Sequence, residues 1–213
     1  MKSFRIFLTV FLPLLVFGVL YVTVVFNNIQ GFDTSVYSVV SKMISEKMTS
    51  FMRAVSFFAS GLFLSSASVV FIPGIFIKKR KYSFYSAIII LNIALSSLVN
   101  VGLKWMINRV RPDILQLTEV SGLSFPSGHS MAAACFYGFF IYLCCRYLKS
   151  GYKIAVTAVL AALICLIGLS RIYLGVHYAS DVLGGFSFGV FWIGAITLII
   201  EKLQEKYARA AGK

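Results

Sequence analysis

Residues Ser170 to Asp181 read SRIYLGVHYASD. This stretch divides an apolar run from Ile154 to about Leu169 from another running from about Ala179 to Ile200. A helix needs about 20 predominantly apolar residues to cross the hydrocarbon of a bilayer. The polar stretch therefore reads as a turn where one membrane span ends and the next begins. Arg171, His177 and Asp181 are costly groups at such a boundary and call for partners or a function.

Working outward, the same pattern recurs. Candidate spans run from Ile6 to Phe26, about Ala54 to Ile77, about Ser83 to Leu103, Ser130 to Leu148, Ile154 to Leu169 (the shortest) and Ala179 to Ile200. Only 13% of the 213 residues are charged and 59% are hydrophobic, whereas a soluble domain carries about a quarter charged residues. The expectation is an all-α polytopic membrane protein, a six-transmembrane-helix bundle with an interfacial helix, forming one domain over residues 1–213. The first run is too long for a signal-peptide core and is expected to be retained. The four cysteines fit neither a zinc site nor a redox pair and read as small buried apolar side chains.

The net charge of +13 does not require nucleic acid. With the N-terminus in the cytoplasm, 13 of the 20 basic residues fall on the cytoplasmic side, among them the run Lys78 to Lys81. That bias is the ordinary signature of topology. Both termini are then cytoplasmic, and the turn at Ser170–Asp181 faces outside. Between the first two spans, Val36, Val40, Met43, Ile44, Met48 and Phe51 recur at helical spacing. This segment, 31–50, suits either an interfacial helix or a loop helix packed on the bundle.

Two further polar clusters fall on the outer side. In KWMINRVRP, Lys104 and Arg111 are seven residues apart. On a helix that spacing puts both on one face, about 10 Å apart, able to grip an anion. Alone, the pair also reads as snorkelling residues at a helix end. In SFPSGHS, the chain breaks just before an apolar run. A helix start offers free N–H groups to phosphate, to which Ser127 adds a hydroxyl and Gly128 close backbone approach. His129 there can move a proton near neutral pH. In the opening stretch, His177 and Asp181 are four residues apart. If a helix begins near His177, the carboxylate can hold one imidazole nitrogen protonated and leave the other as a nucleophile. Arg171 is a fork suited to phosphate oxygens. Both histidines of the chain thus lie in clusters that the topology returns to one face.

The blocks KWMINRVRP, PSGH and SRIYLGVHYASD resemble, complete and in order, the K-x6-R-P, P-S-G-H and S-R-x5-H-x3-D signature of the type-2 phosphatidic acid phosphatases. The blocks occupy 104–112, 126–129 and 170–181. The resemblance implies a membrane lipid phosphatase working through a phosphohistidine. It implies that His177 is the nucleophile, that Asp181 orients it, and that His129 is the general acid and base. It implies that Lys104, Arg111, Ser127, Gly128 and Arg171 bind the phosphate. No metal and no cofactor is implied.

The implied partners are the bilayer and a lipid phosphate in a bacterial cell membrane. The candidates are phosphatidylglycerophosphate, undecaprenyl pyrophosphate, phosphatidic acid and diacylglycerol pyrophosphate. A non-catalytic lipid-phosphate binder or transporter is the alternative, with Asn92, Ser96, Ser97 and Asn100 as its evidence. A binder needs cations but no His177–Asp181 pair, and those four residues read equally as helix-to-helix hydrogen bonding. Oligomeric state is not legible in the sequence.

Overall fold

The computed structural model describes residues 2–76 and 80–210, and every regular element among them is helical. Lys78, Lys79 and Lys213, which the topology reading uses, lie outside the described residues, as does the expected end of the second span at Ile77. The first span is a continuous helical rod: α1 (Lys2–Ile6), a π segment (Phe7–Phe11) and α2 (Leu12–Val25). After it come α3 (Gln30–Val40) and α4 (Glu46–Phe57), then α5 (Gly61–Phe76), α6 (Arg80–Ile107), α7 (Gly128–Tyr147), α8 (Ser150–Tyr173) and α9 (Ala179–Ala210).

Among the described residues, five helices are long and apolar enough to cross a membrane, and α4 with α5 up to Val69 passes the same test only as a bent pair, which counted as one span makes six. That pair bends by 46° at a break after Phe57, so the second expected span is broken rather than continuous. Nor is the fifth span the shortest. Helix α8 has 24 residues against 20 in α7. Its polar last turn, SRIY, stays helical because neighbouring groups receive it.

Burial separates the centre of the bundle from its rim. Within the spans, 44% of α7 and 39% of α9 are buried, against 17% of the first span and of α8. The rim helices turn Leu15, Leu98, Trp105, Ile154 and Val159 outward, an apolar surface that suits lipid and not water. Helices α7 and α9 meet through Gly185 and Gly189. A Cβ at Gly185 would lie 2.6 Å from the Ser127 carbonyl oxygen, and one at Gly189 would lie 2.6 Å from Ala134 Cβ. Small residues four apart let two helix backbones approach closely, which is the main packing device inside a bilayer.

Two polar residues of α6, Asn92 and Asn100, bond to groups outside their own helix. Asn92 donates to the Cys135 carbonyl at 3.0 Å and accepts from Trp192 Nε1 at 2.9 Å. Asn100 Nδ2 reaches the Pro126 carbonyl at 3.4 Å. Only Cys135 among the four cysteines is buried. Cys145 and Cys165 are exposed, which corrects the reading of all four as interior side chains.

The segment 31–50 is two helices with a break between them. Ile44 is extended, and Ser45 caps α4 by accepting from Met48 N. Val36, Val40, Ile44 and Met48 pack against Tyr173, Leu174 and Val176 of the bundle, while Met43 and Phe51 are exposed. The segment is therefore packed on the bundle along one face, with Val39 and Met43 of its apolar residues, and Phe51 just beyond it, left exposed.

Candidate active site

Four helix termini meet at one end of the bundle: the ends of α6 and α8 and the starts of α7 and α9. Two loops tie them together. Ser124 N donates to the Arg109 carbonyl, Leu117 N to the Leu174 carbonyl, and Ser127 N to the Asp181 carbonyl, each at 2.8 or 2.9 Å. The three sequence clusters are thereby brought to one place.

His177 lies in the turn just before α9 and is 3% exposed. Its Nδ1 is 3.3 Å from Asp181 Oδ2, one helical turn further on. Its Nε2 faces Arg111 Nη1 at 3.2 Å. With Nδ1 protonated against the carboxylate, Nε2 carries the lone pair. Burial pushes the imidazole pKa down to about 4, an effect that Asp181 opposes and that Arg111 and Lys104 reinforce. The ring is therefore neutral at pH 7 and able to act as a nucleophile.

Asp181 has 0% exposure and is surrounded by donors. Oδ2 accepts from Tyr178 N at 2.9 Å, from Ser124 Oγ and from His177. Oδ1 accepts from Arg109 Nη1 at 2.6 Å. The bond back to Tyr178 N is the third-residue arm of a capping box, so one side chain both caps α9 and orients His177.

The cations are set by different devices. Lys104 occupies the last turn of α6, and its ammonium donates to the carbonyls of Leu123 and Ser124 at 2.6 and 3.0 Å. Arg111 does not share its helix. Helix α6 ends at Ile107, and Asn108 takes a positive φ of 52°, so the expected two-turn pairing is replaced by a loop that returns Arg111 to the site. There it donates to the carbonyls of Ser121, Gly122 and Val176 at 2.7 to 3.1 Å. Arg171 is 4% exposed and donates from Nη1 to Ser56 Oγ at 2.6 Å. Among the described residues, its Nε is buried without a hydrogen-bond partner, a donor that a ligand oxygen would complete.

The PSGH block divides between scaffold and site. Ser127 caps α7, accepting from Ser130 N and Ser130 Oγ at 3.5 and 3.0 Å, and is itself 0% exposed. A Cβ on Gly128 would come within 3.1 Å of Asn100 Oδ1, so the close approach there is made by α6. His129 lines two cavities. One, of about 210 Å³, lies between α5, α6 and α7 and is walled by Leu64, Ile93, Ser96, Asn100 and Met131. The other, of about 320 Å³, is walled by Arg53, Ser56, Thr118, Glu119 and Arg171.

Two groups were missed in the sequence. Arg109, in the first block, pairs with Asp181 and also with Asp33 of α3, Nη2 to Oδ2 at 2.8 Å. Asp33 is 3% exposed. An aspartate on a polar helix outside the blocks gives no sequence signal of this contact. The hint at Arg109 is only a third cation two residues before Arg111. Among the described residues, no group of three or more His, Cys, Asp or Glu side chains is arranged to hold a metal.

This site, a buried histidine–aspartate pair ringed by cations at one face of a helical membrane bundle, defines the class: an integral-membrane protein built to handle an anionic group. The chain belongs to the PAP2 superfamily, whose family model matches residues 85–205. It is 32% identical over 180 residues to phosphatidylglycerophosphatase B of Bacillus subtilis, covering 84% of this chain and 88% of that protein. It is 34% identical over 128 residues to a lipid A 1-phosphatase of Rhizobium etli, covering 55% of this chain and 51% of that one. The crystal structure of a transmembrane PAP2-type phosphatidylglycerolphosphate phosphatase from Bacillus subtilis superposes with a TM-score of 0.82 at 32% identity, covering 89% of this chain and 94% of that one. Aquifex aeolicus LpxE shares the fold at a TM-score of 0.60 and 24% identity, over 78% and 93% of the two chains.

Proposed function

We infer that this chain is an integral-membrane phosphatase that hydrolyses a phosphate ester or pyrophosphate on a lipid, through a phosphohistidine on His177. The observation that carries this reading is the buried imidazole, with a carboxylate on Nδ1 and a guanidinium facing Nε2. Such a ring has one nitrogen fixed as a donor and the other aimed into a ring of cations. Phosphatase relatives of the same superfamily support it.

Lys104, Arg111 and Arg171 hold the phosphoryl oxygens, with Arg171 Nε donating to one of them. The Ser127–Gly128 start of α7 adds its positive dipole end. The Nε2 lone pair of His177 forms a bond to phosphorus, and the bond from phosphorus to the lipid oxygen breaks. His129, which takes up a proton once the negative phosphate sits beside it, gives that proton to the oxygen, and the lipid alcohol leaves. Water then attacks phosphorus and gives a proton to His129. The P–N bond breaks, returning the electron pair to Nε2 and releasing phosphate. Asp181 stabilises the positive ring while the P–N bond exists. The cations act on charge developing in the transition state, so the chemistry needs no metal.

The cavity between α5, α6 and α7 is a path along which the lipid part of the substrate reaches His129. The cavity beside Arg53 and Glu119 also reaches His129, and Arg171 with it. Phosphatidylglycerophosphate is the leading candidate, on the relative at 32% identity. Undecaprenyl pyrophosphate, phosphatidic acid and diacylglycerol pyrophosphate present the same group to the same cations. The activity belongs to a single domain spanning 1–213, in a bacterial cell membrane.

The test is phosphate release by purified protein in detergent with a chelator present, on each of the four lipids. Wild type turns over and His177→Ala does not, while remaining folded. Near-normal release by His177→Ala would overturn the mechanism, and a strict need for added magnesium would overturn the metal-free reading.

The site faces the outside, with both termini in the cytoplasm. Lys104, Arg109, Arg111 and Arg171 gather at the site end of the bundle. Arg5 and Arg146 pair with Glu201 at the other. A cysteine at Lys149, in a background lacking Cys144, Cys145 and Cys165, should resist an impermeant maleimide in intact cells. Labelling without permeabilisation would invert the orientation.

A further inference from the structure

Segment 31–50 has no part in the mechanism so far, yet it delivers a buried carboxylate to the edge of the site. Asp33 Oδ1 accepts from Ser180 N at 2.8 Å. Its Oδ2 accepts from Ser180 Oγ at 2.7 Å and from Arg109 Nη2 at 2.8 Å. Arg109 Nη1 in turn donates to Asp181 Oδ1 at 2.6 Å and to Ser180 Oγ at 2.7 Å. The guanidinium lies over the Tyr178 ring, 4.0 Å from its centroid. One planar cation is thus shared between two carboxylates, one on α3 and one on α9.

We propose that Asp33 is a positioning residue for the reaction, one that acts through Arg109 to keep a net negative charge on Asp181 facing His177. The proposal rests on the phosphohistidine reading above. Two carboxylates and one guanidinium leave one negative charge over. A ring phosphorylated on Nε2 and protonated on Nδ1 is positive, and that surplus charge stabilises it. Without Asp33, Arg109 belongs to Asp181 alone. The pair is then neutral, and the positive ring loses its counter-charge. The phosphate-holding cations Lys104, Arg111 and Arg171 make no contact with Asp33, so substrate binding is left alone.

A purely structural staple between α3 and α9 makes a different prediction, and kinetics separates the two. Phosphate release from phosphatidylglycerophosphate in detergent micelles is measured for wild type, Asp33→Asn, Arg109→Gln, the double variant and His177→Ala. Asp33→Asn should lower kcat about 10-fold or more, the scale of losing an outer partner of an oriented histidine, with KM within about twofold. The double variant removes the unmatched cation along with the carboxylate and returns one full negative charge to Asp181. It should turn over faster than Asp33→Asn. A staple instead gives a double variant as slow as either single change or slower.

Asp33→Asn with wild-type kcat, or a double variant no faster than Asp33→Asn, overturns the proposal. Should Asp33→Asn fail to fold, the double variant is compared with Arg109→Gln, which leaves two buried carboxylates without their cation. With Arg109 gone Asp33 has nothing to act through, so a double variant within about twofold of Arg109→Gln in kcat supports the proposal and a larger difference overturns it. If His177→Ala still releases phosphate, the phosphohistidine reading itself has failed. If His177→Ala is dead and Asp33→Asn is normal, only the present proposal has.

Discussion

Replacing Asp181 by Asn removes one charge and keeps the shape. Four donors point at this carboxylate: Arg109 Nη1, Ser124 Oγ, Tyr178 N and His177 Nδ1. An amide has one acceptor atom, so its NH2 must face at least one of them. If it faces His177, the amide donates to Nδ1, the ring proton moves to Nε2, and the nucleophilic lone pair is gone. The charge loss can be sized. A unit pair 3.3 Å apart at an effective dielectric of about 20 is worth about 5 kcal/mol. At about 1.4 kcal/mol per decade that is between three and four orders of magnitude in rate. The equivalent change in a serine-protease triad costs about 10⁴ in kcat, on the same scale. Steady-state phosphate release from detergent-solubilised Asp181→Asn should therefore show kcat down by about 10³ or more with KM little changed. A loss below about tenfold, in a variant that elutes and melts like wild type, would refute the assignment of Asp181 as the charge that supports His177.

The pH prediction concerns His177. Its folded pKa of about 4 lies below the free value of about 6.5, so the unfolded chain binds the extra proton first. Stability drawn from burying a neutral ring is therefore present above pH 6.5 and is lost as pH falls from there toward 4. The chain has only two histidines, so ¹³C-imidazole resonances can be assigned with His129→Asn. That of His177 should stay neutral from pH 8 to 5, and a midpoint near 6.5 would contradict the burial argument. The packing prediction concerns Gly189. A valine there meets Ala134 Cβ and the Met131 carbonyl. It should separate α7 from α9, lowering stability by about 1–3 kcal/mol and misplacing His129. An unchanged melting temperature with unchanged kcat would show that the contact can open freely.

Legibility followed the range of the interactions involved. Spans were readable because a bilayer enforces length and apolarity on each segment separately. The His177–Asp181 pair was readable because both lie within one turn of the same helix start. The Lys104–Arg111 pair was misread in geometry but not in destination. Seven residues suggest two turns, but the helix stops at Ile107, and carbonyls of two loops steer Arg111 back. The break between α4 and α5 at Phe57–Gly61 was missed because apolar composition continues across it. Asp33 was beyond reach for a different reason. Its partners are the backbone N–H and hydroxyl of Ser180 and the guanidinium of Arg109, all remote in sequence, and none leaves a periodic trace.

The placement of charges explains why this end of the bundle tolerates them. Lys104 and Arg171 stand in the last turns of α6 and α8, where the helix dipole favours a cation. Asp181 stands in the first turn of α9, where it favours an anion. Each charge is thus steadied by its own helix before any substrate arrives. Gly175 completes the arrangement, because its φ of 71° turns the chain between α8 and α9, and a Cβ there would strike the Leu115 carbonyl. The tight turn keeps Arg171 and His177 on opposite sides of a single bend, and the loop carrying Arg111 packs against that bend through the Leu117–Leu174 hydrogen bond. Helix polarity and one turn therefore gather Lys104, Arg111 and Arg171 around the histidine–aspartate pair, the arrangement on which the proposed chemistry rests.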